Sequence, residues 1–132
     1  MSSTGPYRSI SNPGRALIVD DDEAQSLLSQ LLLERLGYEV VTCENAAQAL
    51  QYYKNGDHNF SFIASDYTMT PIDGLELARQ IFKLAPSAVF LLITGYDHPA
   101  LLQTAREIGI REVSIKPTTV DEFAELLMQA GL

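Results

Sequence analysis

The sequence predicts a single α/β domain with a doubly wound parallel sheet, and three observations carry that prediction. Short apolar runs alternate with longer amphipathic stretches five times from residue 15 to residue 132, the rhythm of βα units around a parallel sheet. Helix-start residues stand where the periodicity switches, at Asp22, Asn45, Asp73 and Thr119, with stops at Gly37 and Asn55-Gly56. The length of 132 residues suits one domain, able to bury roughly two-thirds of its unfolded surface without disulfides.

The first unit pairs a strand at 16–19 with a helix at 23–36. Asp22 and Gln25 have capping-box spacing and Gly37 is a natural C-terminal stop. Leu27, Leu28, Leu31 and Leu32 are read as its buried face. The second unit is a strand at 38–43 and a helix capped by Asn45, with Ala46, Ala49, Leu50 and Tyr53 inward. The third is a strand at 60–65 and a helix opening at Asp73, which forms a capping box with Glu76. Leu75, Ala78, Ile81 and Phe82 make its stripe, and Pro86 follows its end. The fourth strand, 88–93, is the most continuously apolar and should be central, covered on both faces. Its helix begins near Pro99, a residue suited to a first turn, with Leu101, Leu102, Ala105 and Ile108 toward the core. The fifth unit is a strand at 112–115 and a helix capped by Thr119 with Glu122, packed through Phe123, Leu126, Leu127 and Ala130. Residues 1–14, rich in Ser, Gly and Pro and without periodicity, are read as a flexible N-terminal tail or linker beside a domain at 15–132.

Composition excludes several classes of function. A formal net charge of −8 argues against direct nucleic-acid binding, which needs clustered Lys and Arg. No basic start followed by an apolar stretch marks a signal peptide. The longest apolar run, 88–93, is far too short to span a membrane, so a cytoplasmic protein is expected. Cys43 is the single cysteine, which rules out an intrachain disulfide and is read as a small buried hydrophobe.

The chemistry lies at the strand ends. Open parallel sheets bind ligands outside the carboxyl ends of their strands, and Asp20-Asp21, Asp66, Thr94 and Lys116 fall at such ends on the first, third, fourth and fifth strands. Carboxylates gathered in one pocket repel: two unit charges 4 Å apart by about 4 kcal/mol at an effective dielectric of about 20. They need a cation, a raised pKa, or both. Lys116 supplies one positive charge, and a hard divalent ion such as Mg²⁺ suits carboxylates, water and a phosphate oxygen. Asp66 is then a nucleophile toward a phosphoryl group. Thr94 offers a hydroxyl to it, and Gly95 leaves room.

These residues carry a resemblance. Residues 17–23 (Leu-Ile-Val-Asp-Asp-Asp-Glu), 66–74, 92–96 (Leu-Ile-Thr-Gly-Tyr) and Ile115-Lys116-Pro117 resemble the response-regulator receiver domains of two-component signalling, the CheY-like superfamily, over nearly everything outside the tail. The resemblance implies a (βα)5 sheet in the flavodoxin-like strand order 2-1-3-4-5. It implies that Asp66 is the phosphoacceptor, that Asp21 is the direct metal ligand and Asp20 its water-mediated partner, and that the Thr68 backbone carbonyl completes a Mg²⁺ site. Thr94 matches the switch hydroxyl and Lys116 the lysine that pairs with the phosphoryl group, with Lys116-Pro117 at a bond usually cis in the family. The implied partners are a histidine kinase or histidine phosphotransfer protein and a downstream protein target on the face of the fourth helix, fifth strand and fifth helix. Such a domain catalyses only its own phosphoryl transfer and dephosphorylation. The sequence departs from the family where Val113 replaces a frequent aromatic, Thr118 a frequent Phe, and Pro71 falls one place late. The stretch 109–113 resembles receivers attached to hybrid sensor kinases.

Plainer roles account for other residues. Asp22 and Asp73 are read as helix caps, Asp97 as a cap or turn residue, His58 and His98 as solvated, and Met69 as local packing. Tyr96 either lines the pocket entrance or is a surface aromatic. Two alternatives remain at this stage. A constitutive interaction domain that has lost the switch is favoured by Val113 and Thr118. A metal-dependent phosphatase is disfavoured because Thr68 stands where such enzymes place a second acid.

Overall fold

The computed structural model describes residues 13–96 and 99–132. The expectations for residues 1–12, Asp97 and His98 lie outside the described residues. Five strands alternate with five helices: β1 (Arg15–Val19), α1 (Glu23–Arg35), β2 (Glu39–Cys43), α2 (Ala46–Lys54), β3 (Phe62–Asp66), α3 (Gly74–Leu84), β4 (Phe90–Thr94), α4 (Pro99–Ile108), β5 (Glu112–Ile115) and α5 (Val120–Gln129). All pairings are parallel, in the order β2-β1-β3-β4-β5, so the expected doubly wound, flavodoxin-like sheet is what the chain forms.

The strand residues alternate between two cores, as a two-residue side-chain period requires. Leu17, Val19, Ile63, Phe90 and Leu92 face a core closed by α2, α3 and α4. Ala16, Ile18, Phe62, Ala64, Leu91 and Ile93 face a second core closed by α1 and α5. Every residue of β3 and β4 is buried, which is why both read as continuous apolar runs. The middle position belongs to β3; β4 is interior, between β3 and β5.

The caps are where the sequence puts them. The side chains of Asp22, Asn45, Asp73 and Thr119 accept from the backbone N–H of Gln25, Gln48, Glu76 and Glu122, each satisfying a first-turn donor. Glu122 also accepts from the Thr118 backbone N–H at 2.7 Å and its hydroxyl at 3.2 Å. His58 is exposed and stacks on Tyr53, with ring centroids 5.2 Å apart.

Three expectations are corrected. Helix α1 buries Ser29 and Leu33, followed by Leu36, while Leu27 and Leu31 are exposed and Leu28 and Leu32 half-buried. Leucine at 27, 28, 31, 32, 33 and 36 allows more than one apolar stripe at 100° per residue, so packing against α5 decides the rotation. Leu102 of α4 is likewise exposed, and Leu101 and Ala105 carry that helix's contact. The cis X–Pro bond lies at Thr70–Pro71, not at Lys116–Pro117; the small cis–trans difference of X–Pro bonds leaves the choice to local context. Among the described residues no helix is long and apolar enough to cross a membrane.

Candidate functional site

Three carboxylates meet at the carboxyl end of the sheet. Asp20 follows β1 directly, Asp21 is next, and Asp66 is the last residue of β3. Parallel pairing of β1 with β3, Val19 opposite Ser65, sets these chain positions side by side. One oxygen from each of Asp20, Asp21 and Asp66 can be chosen so that all lie within 4.8 Å of one another. Asp20 and Asp66 are buried and Asp21 is exposed, so the cluster opens to solvent on one side.

Each buried acid is fixed by backbone. Asp20 Oδ1 accepts the Asp22 N–H at 2.9 Å, and the Asp20 N–H donates to the Cys43 carbonyl at the end of β2. The Thr68 backbone N–H donates to the Asp66 carboxylate. Burial raises the Asp66 carboxyl above its ordinary value, opposed by the Lys116 charge and the Thr68 amide and reinforced by Asp21. Burial also raises Asp20, opposed by the Asp22 amide and reinforced by the charge of Asp66. Desolvation disfavours the charged form of both acids, and a cation in the cluster reverses that.

Lys116 arrives from β5. Its N–H donates to the Thr94 carbonyl at 3.0 Å, continuing the β4–β5 ladder one residue past Ile115. Its Nζ reaches Asp66 Oδ2 at 3.6 Å. Thr94 is buried at the end of β4, one residue beyond Ile93, the partner of Asp66. Its hydroxyl donates to the Tyr96 carbonyl at 3.1 Å. The structure thus brings Asp20, Asp21, Asp66 and Lys116 together, places Thr94 on the adjacent strand end with its hydroxyl on the following loop, and shows Thr68 through its amide.

Two residues escaped the sequence reading. Gly74 opens α3, and its N–H donates to the Tyr67 carbonyl at 2.8 Å. A Cβ there would sit 2.5 Å from the Asp66 carbonyl oxygen and 2.6 Å from Leu92 Cδ1. Glycine therefore lets α3 start directly against the end of β3. The only signal in the sequence is a glycine one place after a helix cap. Ser65 is fully buried and its hydroxyl donates to the Asp66 carbonyl at 3.0 Å, filling a polar need inside an otherwise apolar strand. By contrast, a Cβ on Gly95 would meet nothing within 4 Å, in keeping with the room expected there. Met69 is buried in the core beside α3, as expected.

Residues 16–128 match the sequence model of the response regulator receiver domain. The chain belongs to that family. It is a phosphoacceptor domain of two-component signalling, not an enzyme that turns over a separate substrate, and Asp20, Asp21 and Asp66 form a pocket consistent with a phospho-aspartate site. Membership implies a histidine kinase partner. The receiver is similar to the response regulator receiver protein CpdR of Brucella abortus, 33% identical over 88% of this chain and 98% of that one. It is also similar to the chemotaxis protein CheY of Bacillus subtilis, 28% identical over 86% of this chain and 93% of that one. Of the transcriptional regulatory protein ZraR of Klebsiella oxytoca, 32% identical, the receiver spans about a quarter of the length, with 86% of this chain aligned.

Among solved structures, response regulator TrrA of Thermotoga maritima, in complex with Mg²⁺ and BeF, matches with a TM-score of 0.77 and 31% identity, covering 89% of this chain and 98% of that one. A Burkholderia pseudomallei response regulator with a phosphorylated aspartic acid, a calcium ion and citrate matches at 0.74 and 31%, over 83% and 64%. The acidic triad is of the kind that holds Mg²⁺ in receivers.

Proposed function

We propose that Asp66 accepts a phosphoryl group from the histidine of a kinase or histidine phosphotransfer protein, with Mg²⁺ held at Asp20, Asp21, Asp66 and the Thr68 carbonyl. The observation that carries this is the gathering of three carboxylates within 4.8 Å of one another, with a single lysine 3.6 Å from Asp66. The donor set is all hard oxygen and over-acidic, which fits Mg²⁺. When bound, that ion supplies charge neutralisation for the phosphoryl oxygens.

This chain's own groups do the rest. A carboxylate oxygen of Asp66 attacks phosphorus. The bond from phosphorus to the donor's imidazole nitrogen breaks, its electron pair stays on nitrogen, and an acyl phosphate forms. Lys116 stands where it can offset the added negative charge. The Thr94 hydroxyl can turn to a phosphoryl oxygen. Attack by water later releases phosphate and restores the Asp66 carboxylate.

The functional domain is 15–132, and it works in the cytoplasm. The donor would approach over α1, where exposed Leu27 and Leu31 lie one turn apart, and the groove lined by Leu27 and Gln30 runs to Asp20 and Asp21. The downstream protein target would read the face of α4, β5 and α5, where Leu102, Ile115 and Met128 are exposed. A Mg²⁺ titration monitored by amide shifts tests the cation set. Asp21→Ala should lose most of the affinity, and unchanged binding in that variant would remove Asp21 from the site.

A further inference from the structure

We propose that the open edge of β2 pairs with the same edge of a second copy of this chain, antiparallel about a twofold axis at Val41. The pairing needs no phosphoryl group, and it covers the α1 surface assigned above to the donor.

Strand β2 ends the sheet, and among the described residues β1 is its one neighbour. The Glu39 N–H donates to the Gly14 carbonyl, and the Cys43 carbonyl accepts the Asp20 N–H. Backbone groups alternate sides along a strand, so Glu39, Val41 and Cys43 turn theirs to β1, while Val40 and Thr42 turn theirs outward. An open edge is a template for another strand unless Pro, Lys or a bulge blunts it. β2 reads Glu-Val-Val-Thr-Cys, with neither Pro nor Lys, and its five residues pair with β1 without a break in register.

This edge is complementary to itself. A twofold axis at Val41 sets Val40 opposite the partner's Thr42 and Thr42 opposite the partner's Val40, so both outward-facing residues form hydrogen-bonded pairs. Val41 meets the partner's Val41. Glu39, the one charge on the strand, meets the partner's Cys43 rather than a like charge. Antiparallel pairing also sets the acidic end of each sheet, with Asp20, Asp21, Glu23 and Glu44, beside the other's amino end, with Arg15 and Arg35.

Helix α1 flanks the joined strands. Leu27 lines one groove with Thr42 and Cys43, and Leu31 follows one turn on. They are 56% and 52% exposed. Val40 packs into the core that α1 covers, so the partner's Val40, beside Thr42, arrives on the Leu27 side. Pairing thus buries both leucines of each copy against the added strand and the helix that accompanies it.

Sedimentation velocity of the full chain over a range of concentrations tests the pairing. Wild type should pass from monomer to dimer as concentration rises. Leu27→Ala and Leu31→Ala should each weaken the dimer roughly tenfold or more, because each change counts twice across a twofold axis. Val41→Cys should form a disulfide-linked dimer under mild oxidation, since residues opposed in a non-hydrogen-bonded pair lie about 4.5 Å apart at Cα, within bridging reach. Wild type, whose single cysteine is the buried Cys43, should not cross-link. A wild type that stays monomeric throughout overturns the pairing. So does a dimer that either leucine variant leaves unchanged, or one that Val41→Cys fails to cross-link, because each places the contact on another surface.

Discussion

Replacing Asp20 by Asn should stabilise the cation-free protein. The new side chain is isosteric, and its oxygen can still accept the Asp22 N–H that Asp20 Oδ1 accepts at 2.9 Å. It removes one of three negative charges whose oxygens lie within 4.8 Å of one another. At such a separation two unit charges repel by about 3.5 kcal/mol at an effective dielectric of about 20. The cluster is open to water on the Asp21 side, so about 1–2 kcal/mol should survive screening, roughly 4–8 °C of melting temperature in a domain of this size. Burial raises the native Asp20 carboxyl above its ordinary 3.8. The native state therefore binds that proton more tightly than the unfolded state, and wild-type stability falls as pH rises from 3.8 through the raised native value. The advantage of Asp20→Asn should be complete above that window and absent below it. Mg²⁺ should reverse the comparison at neutral pH, because a ligand stabilises in proportion to its affinity for the native state and wild type offers the stronger site. Calorimetric melts in chelator and in Mg²⁺, across acid to neutral pH, read all three effects. A variant that melts at or below wild type in chelator at neutral pH, or that gains as much from Mg²⁺, would refute the reasoning.

Gly74→Ala should cost about 1–3 kcal/mol in urea denaturation, the usual range for forcing a methyl into a filled space, and should slow phosphorylation because the clash falls on the Asp66 carbonyl. Gly95→Ala, which meets nothing within 4 Å, should stay within about 0.5 kcal/mol of wild type. Leu33→Ala should cost about 2–5 kcal/mol, while exposed Leu27→Ala and Leu31→Ala should each stay within about 0.5 kcal/mol; the reverse ranking would restore the rotation of α1 that its leucines first suggest. The Cys43 thiol is 2% exposed and pushed up to about 11 by burial, so thiol labelling at neutral pH should follow global unfolding, and rapid labelling of the native protein would show that β2 opens locally.

The fold was legible because its signals are local and redundant. Strands β1, β3 and β4 are buried on both faces, so their apolar runs stand out from helical periodicity, and four helices announce themselves with a capping side chain whose bond the structure contains. The site was legible because each of Asp20, Asp21, Asp66 and Lys116 marks a strand end, and a parallel sheet brings those ends together. What escaped the sequence depends on tertiary choice. The rotation of α1 is undetermined by a helix with leucine at six of ten positions from 27 to 36. The need for glycine at position 74 comes from a backbone approach between two elements that no spacing rule records.

The central claim is that Asp66 carries the phosphoryl group, and site-resolved mass measurement after incubation with acetyl phosphate and Mg²⁺ tests it most directly. The expected result is one added phosphoryl group on the intact chain, located at Asp66, lost on chelation of Mg²⁺ before the donor is added, and absent from Asp66→Asn. Full, Mg²⁺-dependent mass gain in Asp66→Asn, or an adduct located at any other residue of the wild-type chain, would contradict it.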